Sequence, residues 1–521
     1  MTASATDPGE TVAVAPELPP ERAASEWLPA IANALKLGSS LLLTLLIAIA
    51  MRFLMPRYLG PARFGTLSFA DGFTATSFVV LSLGAEFYIR KEVSVRPAHA
   101  SDFFGGTVLL RVGMAAVIFG IMALVMRATG RPPEVKNLVY LFGVAQFFVG
   151  LNATLSALLH ARGQVGGMSV LAVATKLIWA AGVVAAIAWG TGLWGFAGAY
   201  LASESVETFV LFALARRHLG LVVRVDVPAT KAMIVSCLPY FVNACASNAY
   251  NRLDVTVLGM MSAGREVGWY VAASSITGLT LLITPLIDWV LTPVFARGAV
   301  HSRERLYQNI RDATEPILTV AIPAALFVSV GADVWLRLLF GQAFAPAALA
   351  LRVLAASSVV IYVAIVYAMT LIMMQRAWTL ALISVAGLVL NLLLNLLLIR
   401  LSTRALGEGG AGLGCAVAAL ATHVFAVVAM VAFVGGGAIS ARTARMVGKS
   451  LAACGLVVLV DRLVAGIGDA RVVVDVVVYF AVVVATGALR PLQLFRLAAA
   501  AVRSRRGARA GQPGEPSGQR A

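Results

Sequence analysis

Charge is what this sequence has little of. Only 13% of its 521 residues are Asp, Glu, Lys or Arg, and 60% are hydrophobic, where an ordinary soluble domain is about a quarter charged. Mean hydropathy is +0.88. A chain this apolar cannot cover itself with polar surface, which excludes a cytosolic enzyme. Acids are scarcer than bases, 25 against 41, so the formal net charge is +16. On a polar chain that balance would suggest a nucleic-acid partner; here no nucleic acid is expected, and the membrane explanation is tested first. Cysteine is also sparse. Cys237, Cys245, Cys415 and Cys454 lie inside apolar stretches with no CxxC pair and no His at ligand spacing, and read as small buried hydrophobes. The five histidines (His99, His160, His218, His301, His423) are scattered and make no metal set. Gly407, Gly409 and Gly412 fit GxGxxG, but they follow a membrane-length apolar run rather than a strand and read as a loop. Asn152 and Thr154 fit a glycosylation sequon inside another such run. No cofactor is expected. Residues 1–27 lack a basic region ahead of an apolar one, so they read as a disordered cytoplasmic tail rather than a cleaved signal.

What is present is a series of apolar runs of membrane length. A hydrocarbon core of about 30 Å needs about 20 apolar residues per helix. Cutting the sequence on that rule gives about 14 transmembrane helices. An even number puts both termini on one side. Counted connection by connection, 23 basic residues fall in one alternating set and 12 in the other, so the richer set, with both termini, is expected to face the cytoplasm. No connection exceeds about 20 residues, which leaves no room for a soluble catalytic domain.

The first twelve spans carry a weak internal echo. Ala62, Arg63, Phe64 and Gly65 are answered by Arg265, Glu266, Val267 and Gly268, and Gly195, Gly198 and Ala199 by Ala411, Gly414 and Cys415, at offsets of about 203 to 216 residues. Because the repeat begins after an even number of spans, the halves are expected to be parallel in topology. The predicted fold is an all-α polytopic membrane protein of two parallel-related six-helix bundles plus two C-terminal helices. Its expected divisions are a tail at 1–27, bundles at 28–218 and 219–435, two further spans at 436–500, and a basic disordered cytoplasmic tail at 501–521.

Two facing bundles suggest a central cavity that opens alternately to either side. Ionisable residues inside spans each cost a few kcal/mol unless they meet a partner or water, so they mark candidate sites. Arg111, Lys176 and Arg252 are candidates for a cationic cavity that would suit an anionic head group such as a phosphate. Glu204, Asp254 and Asp288 are candidates for ion coupling. For all six the alternative is structural charge pairing. Arg252 and Asp254 stand two residues apart, so on a helix they face different ways and need different partners. Arg52, Lys36 and Arg352 lie nearer span ends, where snorkelling to the interface accounts for them.

One combination of stretches resembles a known family. It comprises Arg57 through Phe69 (RYLGPARFGTLSF), Leu83 with Gly84, Ile89 through Val93, Tyr250 through Gly259, Val267 through Tyr270, the Pro293 region, Leu338 through Gly341, and Asn391 with Asn395. It is similar to the Wzx-like oligosaccharide flippases, the polysaccharide biosynthesis exporters of the multidrug/oligosaccharidyl-lipid/polysaccharide superfamily. The resemblance implies a non-catalytic fourteen-helix flippase in a bacterial inner membrane. Its cargo would be a polyprenyl-(pyro)phosphate-linked oligosaccharide, moved from the cytoplasmic to the outer leaflet by alternating access for surface polysaccharide such as O-antigen, lipopolysaccharide or exopolysaccharide. Expected partners are that lipid-linked oligosaccharide, membrane lipid, and the polymerase and glycosyltransferases of the same pathway. The alternatives are a cation-coupled multidrug exporter or a lipid II flippase of the same superfamily, or, from another class, a polytopic glycosyltransferase or polymerase.

Overall fold

The computed structural model describes residues 20–82, 100–161, 165–228, 252–284, 303–435 and 441–485, with isolated positions between them. Among these every regular element is helical, as the sequence predicts. The helices are α1 (Pro20–Phe78), α2 (Ala100–Ala128), α3 (Pro133–Ala161), α4 (Val165–Ala188), α5 (Gly192–Leu219), α6 (252–261), α7 (Gly264–Thr280), α8 (Arg303–Val330), α9 (Ala332–Leu339), α10 (Ala348–Met373), α11 (Ala377–Leu406), α12 (Gly410–Val434), α13 (Ala441–Leu463) and α14 (Arg471–Ala485). Ten helices among the described residues are long and apolar enough to cross a membrane. Helices are what the composition demands, since backbone groups in hydrocarbon must be satisfied within their own segment. Large apolar side chains such as Leu109, Val117, Leu382 and Val428 stay more than half exposed, as a lipid-facing perimeter requires.

The structure departs from the sequence reading in three places. Residues 20–27, expected in the disordered tail, form the first turns of α1. The expected connection between the first two spans is helical throughout, and the chain bends instead at Gly60 (φ 69°, ψ 169°), a conformation open essentially to glycine alone. The ninth span ends at Val330 and is followed by the separate short helix α9. The expected tail at 501–521 lies outside the described residues, as do Cys237 and Pro293.

The bend at Gly60 and the short turn at Ser262 and Ala263 make two helical hairpins that meet tip to tip. Gly65 packs on Gly264 and Gly268, and Gly268 packs on Pro61. Gly65 corresponds to Gly268, and Pro61 to Gly264, at the same 203-residue offset found in the sequence echo. The contact is therefore reciprocal: each half presents the same position to the equivalent position of the other, as a two-fold relation requires. A Cβ on Gly65 would sit 2.7 Å from the Gly268 nitrogen, and one on Gly268 would sit 2.8 Å from the Pro61 carbonyl carbon. Both positions need glycine because backbone meets backbone there. The largest apolar cluster surrounds this junction and includes Phe64, Phe69, Trp269, Tyr270, Phe340 and Phe344. The Trp269 indole donates to the Ala343 carbonyl at 2.8 Å. Arg131, in the turn between α2 and α3, donates to the Gly259 carbonyl and stands 5.0 Å over the Phe69 ring. Partial burial lowers its pKa from the usual arginine value, and the group stays charged.

Candidate functional site

Away from the hairpin tips, the facing helices turn polar. Along α6, Arg252 and Asp254 diverge as their two-residue spacing predicts. Arg252 points across to the first half and binds Asp71 of α1 at 3.0 Å, with the two side chains 50% and 33% exposed. Asp71 also accepts a 3.4 Å hydrogen bond from Gln146 of α3. One turn on, the Thr76 and Thr256 hydroxyls meet at 3.0 Å, so the halves share a polar seam as well as the glycine junction.

Further charged side chains of the helices lie within electrostatic reach of Asp71. Glu204 of α5 is buried and accepts a 3.1 Å hydrogen bond from Asn152 of α3. Thr208 in turn donates to the Asn152 carbonyl oxygen at 2.5 Å. Lys176 of α4 and Glu207 are within electrostatic reach of Glu204. Tyr200 feels Glu204, Glu207, Asp71 and Arg252 together, and Arg52 feels Arg252. The Lys176 ammonium is also 5.9 Å from the Trp179 ring centre. The sequence reading expected a cationic cavity. The described residues bring Lys176 and Arg252 near three acids (Asp71, Glu204, Glu207), with Arg52 near Arg252.

Arg111 does not join them. It is fully buried, donating through Nε to the Leu81 carbonyl at 3.0 Å and through Nη1 to the Thr154 hydroxyl at 2.6 Å and the Gly150 carbonyl. Those bonds fix α2 against α3 and the turn after α1, and place Arg111 in the packing rather than on an open surface.

Asp254 belongs to a separate cluster in the second half. It accepts from the Tyr270 hydroxyl and from the Asn395 amide, both at 2.8 Å. Asn391, one helical turn before Asn395, accepts from the Asn395 amide at 3.0 Å. The Cys415 thiol donates to the Asp254 carbonyl at 3.7 Å. Among the described residues no cation pairs with this carboxylate. The sixth candidate, Asp288, lies outside the described residues.

Sequence reasoning missed Asp71, Gln146 and Tyr200, and set Arg52 aside as a span-end residue. Asp71 carried the same signal as Glu204, an acid well inside an apolar run. The GxGxxG stretch, expected to be a loop, is a turn over 407–409 that runs into the first turn of α12 at Gly410, and the anion site there is filled from within. The Glu266 carboxylate accepts from the Gly409 nitrogen at 2.6 Å and the Gly412 nitrogen at 3.1 Å, where a helix N-terminus would otherwise draw a phosphate. No group of three or more His, Cys, Asp or Glu capable of holding a metal occurs among the described residues.

Comparison with known proteins places this arrangement in context. The profile of a family described as "Polysaccharide biosynthesis protein" matches residues 54–349. Over 151 residues the chain is 25% identical to a probable low-salt glycan biosynthesis flippase, Agl15, of Haloferax volcanii; the match spans 29% of this chain and only about a third (32%) of that relative. Among solved structures, the fold matches an inward-facing multidrug resistance MATE transporter with a TM-score of 0.61 at 15% identity, covering 75% of this chain and 94% of that one. It also matches the lipid II flippase MurJ with a TM-score of 0.56 at 13% identity, covering 84% and 98%.

Proposed function

This chain belongs to the polysaccharide biosynthesis protein family, and from that premise we propose that it is a flippase for a polyprenyl-(pyro)phosphate-linked oligosaccharide. In this reading the protein sits in a cytoplasmic membrane with both termini inside, and its bundles at 28–218 and 219–435 rock about the glycine junction to carry the head group to the outer leaflet. A polymerase and glycosyltransferases supply and consume the cargo. The observation that carries the reading is the mixed-charge seam where the halves meet.

A sugar linked through phosphate needs two kinds of partner. The phosphate needs cations, and a half-exposed Arg252, held among the described residues by an exchangeable 3.0 Å pair with Asp71, can swap that carboxylate for a phosphate oxygen in charge-assisted hydrogen bonds. Lys176 and Arg52 add to the field. The sugar hydroxyls need acceptors and amides, which Glu204, Glu207, Asn152 and Gln146 provide. Asp254, half-buried among neutral donors, is assigned the coupling ion: binding a cation or proton there would change the charge of the second half alone and so bias one arrangement of the halves over the other.

The test is flipping of a fluorescent lipid-linked oligosaccharide in proteoliposomes. Lys176→Gln with Arg252→Gln is expected to lower the rate by about tenfold or more, since a hydrogen bond to a charged group contributes about 1.5–3 kcal/mol. Unchanged flipping in the double variant would remove the phosphate assignment. Proton-driven efflux of an organic cation with no flipping would transfer the protein to the multidrug reading.

A further inference from the structure

A lateral groove of about 870 Å³ runs along α2, lined on that helix by Gly106, Leu109, Gly113, Val117 and Ile121 and on the other side by Val225, Val227, Thr230, Lys231 and Ile234. The lining positions of α2 recur every three to four residues, so they form one face of the helix. The opposite wall is held close by two glycines. Gly105 packs on the Arg224 backbone and Gly106 on the Thr230 side chain, which brings the connection after α5 down onto the start of α2. Leu109, Val117 and Ile121 are all more than half exposed, so the groove opens on the lipid-facing perimeter.

Three properties narrow what lies in it. The walls are almost wholly apolar, so the occupant is hydrocarbon. One end carries the exposed Lys231, for which no ion pair is found among the described residues. Beside it Arg224 binds Asp102 at 3.1 Å while remaining 75% exposed. The occupant therefore ends in an anion. From Gly106 to Ile121 the groove follows fifteen helical residues, about 22 Å at 1.5 Å per residue. One leaflet of a 30 Å core is only about 15 Å deep. A chain that fills the groove from its charged end reaches past the bilayer midplane, farther than a phospholipid acyl chain extends.

We propose that this groove binds the isoprenoid tail of the polyprenyl-phosphate cargo, with the phosphate end at Lys231. The proposal rests on the flippase reading. Lys231 lies in one of the connections rich in basic residues, the side from which that reading loads its cargo. A second cavity, about 240 Å³ between α8 and the pair α13 and α14, is lined by Asp475 and so disfavours an anionic head.

The experiment is photolabelling of the full chain in nanodiscs with a diazirine-bearing polyprenyl phosphate, mapped by peptide mass spectrometry. Label is expected on α2 and on residues 222–234, displaced by undecaprenyl phosphate and not by an equal amount of phosphatidylglycerol. Gly113→Phe is expected to lower it by about tenfold or more, because a ring would occupy apolar surface the tail buries. A Cβ at Gly113 meets nothing within 4 Å, so this variant is expected to fold with an unchanged thermal midpoint. Lys231→Glu is expected to lower labelling by about fivefold or more, the size of one lysine's attraction for an anionic lipid. Equal displacement by phosphatidylglycerol, or label confined to other helices, overturns the proposal. Flipping by the unmodified protein is measured in parallel: flipping without label in the groove discards the tail site alone, and label without flipping discards the flippase reading alone.

Discussion

Replacing Gly65 by alanine tests whether the two halves part at the glycine junction. The added Cβ would sit 2.7 Å from the Gly268 nitrogen, a contact with backbone that no rotamer change relieves. Overpacking of this kind costs about 1–3 kcal/mol. The cost falls only on the arrangement in which the hairpin tips touch, so it shifts the equilibrium towards an arrangement in which they are apart. At 1.4 kcal/mol per factor of ten, the population ratio changes by about five- to more than a hundredfold. A reporter is at hand in Thr66, whose hydroxyl lies against Gly264. In a background cleared of the four native cysteines, the maleimide reactivity of Thr66→Cys is expected to rise by that factor when Gly65→Ala is added. The reciprocal geometry makes a sharper demand: Gly268→Ala, 203 positions away in sequence, must move the reactivity in the same direction and to a similar extent. The two effects together should fall short of additivity, because both substitutions relieve one shared contact. If either alanine left the reactivity of Thr66→Cys unchanged, the junction would not be where the halves separate.

Glu266→Gln removes a carboxylate, 9% exposed, from the N-terminus of α12; a loss of about 1–2 kcal/mol is expected, read as a lower thermal midpoint in detergent. Arg111→Ala leaves the Leu81 and Gly150 carbonyls and the Thr154 hydroxyl without their donor, at a cost of about 3–5 kcal/mol. Size-exclusion profiles should show loss of the monodisperse peak, and a normal peak would show that the arginine is not structural. Asp475 is 3% exposed, none of the described residues donates a geometrically sound hydrogen bond to its carboxylate, and the nearest charges on it are the like-charged Asp461 and, opposing it, Arg471. Asp475→Leu is therefore expected to raise the thermal midpoint, by the equivalent of about 1–3 kcal/mol, and a lower midpoint would show that the carboxylate has a stabilising partner.

How far each feature could be read in the sequence depends on how local its cause is. Helicity was legible because a bilayer leaves apolar runs no other way to satisfy their backbone. The divergence of Arg252 and Asp254 was legible because it follows from the pitch of one helix. The partners were not. Asp71 meets Arg252 across 181 positions, Glu266 caps a helix 143 positions later, and Asn395 reaches Asp254 across 141; no pattern along the chain specifies such pairings. The surroundings of Arg111 were not legible for the same reason, since an arginine in an apolar run looks alike whether it faces a cavity or three acceptors of its own chain. The sequence echo is the exception, a long-range fact with a local signature. Two copies of a motif related by a two-fold axis must meet themselves wherever they approach that axis, and there side chains from both copies compete for the same space. Glycine at Gly65 and Gly268 is the solution that satisfies both copies at once. Small residues at equivalent positions of an internal repeat therefore mark where the axis passes, and in this chain they mark the contact that the proposed rocking of the halves would have to open.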